Sequence, residues 1–330
     1  MHIRRRDFVS TAVLAGIAMT AGRGRTAAAQ GAAAASFPAR PVRLIVPFTP
    51  GGSNDVVARL LAERLGANWG QPIVVENRPG ASGNIGAEVV VRAAPDGHTW
   101  LLVANQILTT NSHLLRPPFD PLRDLTLVAR LVRVEVALVV HPSVRATTVG
   151  ELLALMRQGA RPLTYASSGS GSFQHLAMAR LAGDDMVHVP YRGAQNLLPD
   201  LLAGRVLVFA GALNSLLPHI RSGAVRALAL MGPRRVQSLP ELPTIGEAGH
   251  AGSEAEVWLG LAVPSGTPQP LIEYIHASAA DVLSSSEVTG KLQEQAIEVD
   301  LQPPAAAAEA TRAEHERNGQ LLARLGIRPE

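Results

Sequence analysis

One pattern occurs twice in this chain and restricts its fold more than any other feature. Each copy is an apolar strand, then a loop of glycine and serine, then the first turn of a helix. The first runs from Arg43-Leu-Ile-Val-Pro-Phe-Thr-Pro-Gly-Gly-Ser-Asn-Asp55 into Val56-Val-Ala-Arg-Leu-Leu-Ala-Glu-Arg-Leu65. The second runs from Leu163-Thr-Tyr-Ala-Ser-Ser-Gly-Ser-Gly-Ser172 into Phe173-Gln-His-Leu-Ala-Met-Ala-Arg-Leu181. The first N–H groups of a helix have no partner inside it, and the helix dipole is positive there, so such a start attracts anions. The copies lie about 120 residues apart, roughly one domain. Facing each other across a cleft, they would grip a small molecule bearing carboxylates.

Around these copies the chain alternates strands, glycine-rich turns and helices. Strands are predicted at 42–47, 72–76, 99–105, 163–167, 186–189, near 205–210 and 225–231, and at 258–263. Helices are predicted at 54–67, 87–94, 148–158, 172–182, 194–203, 269–283, 286–296 and 304–324. This order predicts α/β lobes with parallel or mixed sheets covered by helices. The Val-, Leu- and Ala-rich run 126–141 reads as a strand crossing between lobes, and the strand near 258 as the return. A third glycine-rich helix start is Glu76-Asn-Arg-Pro-Gly-Ala-Ser-Gly-Asn-Ile-Gly86.

The N-terminus sets the compartment. Arg4-Arg-Arg-Asp-Phe-Val9 precedes an apolar run through Ala21, and Thr26-Ala-Ala-Ala29 offers small residues for cleavage. Residues 1–29 therefore read as a signal peptide, with the twin-arginine route expected and an arginine-rich general secretory signal as the alternative. Residues 30–40 read as a linker. The segment 1–29 holds five arginines and one aspartate, so the formal +3 of the whole chain becomes −1 without it. No basic field remains to argue for nucleic acid. The composition, 47% hydrophobic and 17% charged, is that of a globular protein.

The sequence offers little for catalysis. With no cysteine, thiolate chemistry is excluded, and the single lysine, Lys291, sits far from any glycine loop. Gly51-Gly-Ser-Asn-Asp55 fails the last position of a nucleophile elbow, and Gly169-Ser-Gly-Ser-Phe-Gln174 lacks the third glycine of a dinucleotide loop. The histidines form no i, i+4 pair for zinc or iron. No catalytic residue, metal or cofactor is expected. Each loop also has a purely structural reading. Ser53 can act as a cap with Asp55 favouring the dipole, and the second loop can be a connector. Four serines exceed what a cap needs, however, and the position after an apolar strand is where open α/β sheets bind ligands.

Several segments together resemble the Bug receptors, the solute-binding proteins of the tripartite tricarboxylate transporter family. They are Pro41-Val-Arg-Leu-Ile-Val-Pro-Phe-Thr-Pro-Gly-Gly-Ser-Asn-Asp-Val-Val-Ala-Arg59, Val75 to Gly86, Ala94-Pro-Asp-Gly-His-Thr99, Tyr165 to Ser172 with His175, His188-Val-Pro-Tyr-Arg-Gly193, Leu242-Pro-Thr-Ile-Gly-Glu-Ala-Gly249 and Trp258 to Pro268. They span the mature chain in order. The resemblance implies a two-lobed periplasmic-binding-protein ("Venus flytrap") fold, each lobe a central β-sheet flanked by helices. Residues 41–140 plus 258–330 would form lobe 1 and 141–257 lobe 2. It implies a carboxylate site at Phe48, Gly51, Gly52, Ser53, Asn54, Asp55, Ser82, Ser168, Gly169, Ser170 and Ser172, with Asn105, Tyr191 and Asn214 as outlying members. Where the family carries acids, Arg205-Val-Leu-Val-Phe-Ala-Gly211 has Leu207 and Ala210.

The expected function is capture of a small carboxylate (dicarboxylate, tricarboxylate or acidic amino acid) by a monomeric periplasmic receptor. It would present the ligand to a two-component membrane permease. The alternatives are a ligand sensor for a signalling partner and a secreted hydrolase or isomerase.

Overall fold

The computed structural model describes residues 37–158, 162–183, 185–191 and 194–327. The export segment 1–29 falls outside the described residues. In chain order the strands are β1 (Val42–Val46), β2 (Ile73–Asn77), β3 (Thr99–Ala104), β4 (Leu125–Val134), β5 (Val136–Val140), β6 (Thr164–Ser167), β7 (Val187–Pro190), β8 (Val208–Ala212), β9 (Arg226–Leu230), β10 (Val257–Pro264) and β11 (Ile297–Gln302). They form two mixed sheets with helices packed on them. One has six strands in the order β11-β4-β10-β3-β1-β2, the other five in the order β7-β6-β8-β5-β9.

The β1–β3 core is parallel, with Val42 opposite Ile73 and Leu44 opposite Trp100. All six residues of β3, Thr-Trp-Leu-Leu-Val-Ala, are buried. Continuous apolar runs of this kind belong to sheets covered on both faces. The second sheet repeats the arrangement: β6 is parallel to both β7 and β8, with Tyr165 opposite His188 and Val208. In each sheet the chain moves from a central strand to one side and then returns to the other. The gap between β1 and β3, and that between β6 and β8, is a topological switch point, where loops diverge and open a crevice at the strands' carboxyl ends.

The crossing between sheets differs from the sequence expectation. The run 126–141 is two strands rather than one, and β5 pairs antiparallel with β8 and β9 in the second sheet. The exchange falls at Glu135, so 136–140 leave the first sheet earlier than the boundary at 140 implied. Both halves are apolar, and an apolar run does not reveal which sheet will bury it. The Glu135 N–H donates to the Ala296 carbonyl on the first side (3.4 Å), while its carbonyl accepts from Leu213 N–H on the second (2.8 Å). Its carboxylate is 1% exposed. Burial raises its pKa against the opposing pull of Arg133, which also pairs with Glu298.

Further elements not anticipated include β11, the two short helices Asn105–Thr109 and Asn111–Leu114 after β3, and the helix Leu213–Arg221 directly after β8. The C-terminal helix Pro304–Arg324 lies on the first sheet. There Glu314 accepts from Asn105 Nδ2 (2.9 Å), Thr109 Oγ1 (3.3 Å) and Trp258 Nε1 (2.8 Å).

Candidate functional site

The expected ligand residues fall on equivalent places in the two sheets. Gly51–Asp55 follows β1 and Ser168–Ser172 follows β6. Ser82 lies beyond β2 and Tyr191 beyond β7. Asn105 opens the helix after β3, and Asn214 is the second residue of the helix after β8. All six positions lie at carboxyl ends of parallel strands, and those after β1, β3, β6 and β8 flank the two switch points.

The first loop is set by a carboxylate. Asp55, 5% exposed, accepts from Gly51 N–H (3.1 Å), Asn77 Nδ2 (3.0 Å) and Arg59 Nε (2.9 Å). Asn77 also donates to the Phe48 carbonyl (3.1 Å), tying the loop to the end of β2. Burial pushes the Asp55 carboxyl up, but the bonds from Arg59, Asn77 and Gly51 together hold it below the usual carboxylate range. Asp55 is thus turned into its own loop. Gly51 has φ +87, a left-handed conformation that favours glycine. The N–H groups of Gly52, Ser53 and Asn54 have no acceptor among the described residues. Asn54 Oδ1 is buried without a partner. A Cβ built on Gly52 would meet nothing within 4 Å, so open space lies in front of these amides.

The second loop is set by hydroxyls and imidazoles. Ser167 Oγ lies 2.6 Å from His188 Nε2 and donates to the Gly169 carbonyl (3.0 Å). Gly171 N–H donates to His175 Nδ1 (3.0 Å), which fixes that nitrogen as an acceptor. The rings of His175 and His188 stack with centroids 4.1 Å apart, and Tyr165 stacks on His188 at 5.0 Å. Ser172 caps the helix Phe173–Ala182 through the His175 N–H, and Ser168 donates to Gln174 Oε1 (2.9 Å). The N–H groups of Ser170, Phe173 and Gln174 have no acceptor among the described residues.

The remaining members divide. The Ser82 carbonyl accepts from Gln106 and Asn111 (3.1 Å each), which supports left-handed φ values of +46 and +53 at Ala81 and Ser82. The Phe48 ring lies near Gly83 and Ile107. Asn105 gives its amide to Glu314 and to the Glu256 carbonyl, so it serves the packing of the C-terminal helix. Tyr191 gives its hydroxyl to Asp200 (2.7 Å), and burial together with that bond pushes its pKa up to about 12. Ala210 is buried within β8 opposite Leu138, and Leu207 packs on the core just before it.

The two sides meet. Ser53 Oγ, on the first loop, donates to Asn214 Oδ1 on the second side at 3.1 Å. A Cβ on Gly171 would collide with Leu114 Cδ1, so the serine loop lies against the helix Asn111–Leu114 of the first side. Leu114 also clusters with Leu176 and Leu322. The carboxyl edges of the two sheets therefore face each other, and the unpartnered amides belong to loops on those facing edges.

Sequence reading offers Asn77 as a ligand donor and does not anticipate that Asn77 and Arg59 fix Asp55 or that His188 fixes Ser167. A carboxylate in an amide-rich loop is a signal that donors must come from elsewhere, but not from where.

A family description, tripartite tricarboxylate transporter family receptor, matches residues 57–327. Protein BugT of Bordetella pertussis is 34% identical over 258 residues, 77% of this chain and 79% of BugT. Among solved structures, R. palustris Rpa4515 with adipate aligns with a TM-score of 0.83 at 36% identity, covering 89% of this chain and 100% of that one. MatC (Rpa3494) from Rhodopseudomonas palustris with bound malate aligns at 0.77 and 30% identity, covering 87% and 100%.

Proposed function

The chain belongs to the tripartite tricarboxylate transporter receptor family, and from that premise we propose that it is a periplasmic receptor for a small dicarboxylate. The ligand is held between the two helix-start loops and carried to a two-component membrane permease. Export follows the twin-arginine route. The observation that carries the reading is the Ser53–Asn214 bond, which draws one amide-rich switch-point loop to the opposite lobe. A carboxylate accepting from the Gly52, Ser53 and Asn54 N–H groups gains charge-assisted hydrogen bonds at the positive end of a helix. Its second carboxylate meets the Ser170, Phe173 and Gln174 N–H groups. Closure around it excludes water and strengthens each bond. Adipate and malate, bound by the two structural relatives, set the expected ligand size. The ligand is bound and released without chemical change.

Titration calorimetry against dicarboxylates of four to six carbons and acidic amino acids tests this. Saturable binding without turnover is expected. Gly52→Val fills the open space before the amides at a backbone geometry (φ −85, ψ 174) that valine adopts freely. It should weaken binding by about 100-fold or more, the loss of roughly 3 kcal/mol of charge-assisted bonds, and leave the circular dichroism spectrum unchanged. Unchanged affinity in this variant removes the first loop from the site.

A further inference from the structure

A polar cavity of about 260 Å³ opens between the lobes and reaches from Phe173, the residue after the serine loop, and Asn105 to Arg180. One wall is the face of the helix Phe173–Ala182 that carries Arg180. The other is the C-terminal helix Pro304–Arg324, which carries Glu314, Arg317 and Asn318. The crossover residues Glu254 and Glu256 and the strand residue Arg130 close it. Arg180 lies eight residues along its helix from Ser172, about 12 Å at 1.5 Å per residue. The Arg180 end of the cavity therefore lies more than two helical turns beyond the serine loop.

Its charges are unevenly satisfied. Glu314 uses both oxygens on Asn105, Thr109 and Trp258. Arg130 pairs with Asp300 (2.6 Å) and faces Glu256 (3.6 Å). Glu254 Oε2 is turned to the Gly252 N–H (2.8 Å). Arg180, by contrast, donates only to neutral acceptors: the Glu254 carbonyl (2.8 Å) and Asn318 Oδ1 (2.9 Å). Neither Arg180 nor Arg317 forms an ion pair among the described residues. Burial lowers the Arg180 pKa, and Arg317 nearby lowers it further, while Glu314 and Glu254 oppose this. A guanidinium has five N–H donors in a planar fork matched to an oxyanion, and Arg180 uses two of them.

We propose that this cavity is a second oxyanion site, in which a carboxylate, sulfate or phosphate bridges Arg180 of one lobe and Arg317 of the other. The bound ion neutralises two adjacent cations and adds charge-assisted bonds across the interlobe boundary. It therefore favours the arrangement in which the lobes touch, and it acts whether or not the cleft ligand is present. The proposal stands apart from the reading of the amide loops.

The test uses sodium sulfate against sodium chloride at equal ionic strength, with the mature protein free of cleft ligand. Melting temperature and tryptophan fluorescence are followed, because Trp258 carries Arg130 5.4 Å above its ring and bonds Glu314. A saturable sulfate effect is expected in the wild type and in Gly52→Val. Its apparent Kd should rise at least tenfold in Arg180→Gln and in Arg317→Gln. Arg317 is exposed, so its variant keeps the test valid should Arg180→Gln fold poorly. The proposal is overturned if sulfate acts only as ionic strength does, if Arg317→Gln binds it unchanged, or if Gly52→Val abolishes the effect and so assigns it to the first loop.

Discussion

The loops after β1 and β6 occupy the same position in their sheets and are held in shape by opposite chemistry. The first is organised around one buried anion, Asp55, with an N–H, an amide and a guanidinium converging on it. The second contains no charge of that kind. It rests on Ser167, Ser172 and the stacked imidazoles of His175 and His188. Charge-assisted hydrogen bonds are about twice as strong as neutral ones, so the first loop is the stiffer mount. The second depends on an unprotonated His175 Nδ1 as acceptor and so can be loosened by a proton there. A two-sided grip built this way has one fixed jaw and one adjustable jaw.

The sharpest way to break this comparison is to remove each anchor. Asp55→Ala strands the Gly51 N–H, the Asn77 amide and the Arg59 guanidinium. We expect a loss of about 2–3 kcal/mol in urea unfolding, in line with hydrogen bonds to a charged group. Ser167→Ala removes neutral bonds and should cost about 1 kcal/mol. Equal costs for the two variants would mean that the loops are mounted alike and that the asymmetry has no energetic content.

Acidification comes next in size. The Asp55 pKa is depressed, so its contribution is complete above the ordinary carboxylate pKa and is lost only as pH falls through the lower folded value. His175 Nδ1 must accept from Gly171 N–H, and a proton there removes the acceptor and sets a cation against the stacked ring of His188. Dicarboxylate affinity should therefore fall as His175 takes up a proton, by about tenfold, roughly the net value of one hydrogen bond, with the profile followed from pH 7.5 to 5.5. The unfolding free energy of the first lobe's loop stays level over that interval. His175→Gln should flatten the affinity profile. A wild-type profile flat to pH 5.5 would show that the serine loop does not depend on the neutral imidazole.

The sequence disclosed these loops because each sits between an apolar strand and a helix, and glycine marks the turn in the chain itself. Local chemistry of that kind reads directly. The alternation Ile297-Glu-Val-Asp-Leu-Gln302 is equally readable as a half-buried strand, but it lies between two helical stretches and no element is predicted there. The helix Leu213–Arg221 follows β8 with no turn residue to mark its start. Long-range pairing was out of reach for a different reason. Asn105 and Asn214 are the same residue type at matching places in the two sheets. One is consumed by Glu314, 209 positions away, and the other meets Ser53, 161 positions away. Nothing within ten residues of either asparagine distinguishes these fates, because the distinction lies in where the C-terminal helix docks.

That pair of asparagines also gives the smallest and most discriminating prediction. Asn214 accepts a single neutral hydrogen bond from Ser53 in a half-buried setting, and water can replace the donor when Ser53 is removed. Ser53→Ala should therefore lower dicarboxylate affinity only three- to tenfold, the equivalent of about 0.5–1.5 kcal/mol, with little change in melting temperature. Asn214→Ala should do the same. Because both remove one bond, the double variant should lose no more than either alone. Asn105→Ala should behave in the reverse sense. It strips a donor from the half-buried Glu314 carboxylate and frees the Glu256 carbonyl, so it lowers stability by about 2 kcal/mol while leaving the shape of the cleft loops intact. If the Ser53 and Asn214 losses add in full, the hydroxyl and the amide act on the ligand separately, and the bond between them is not what closes the lobes.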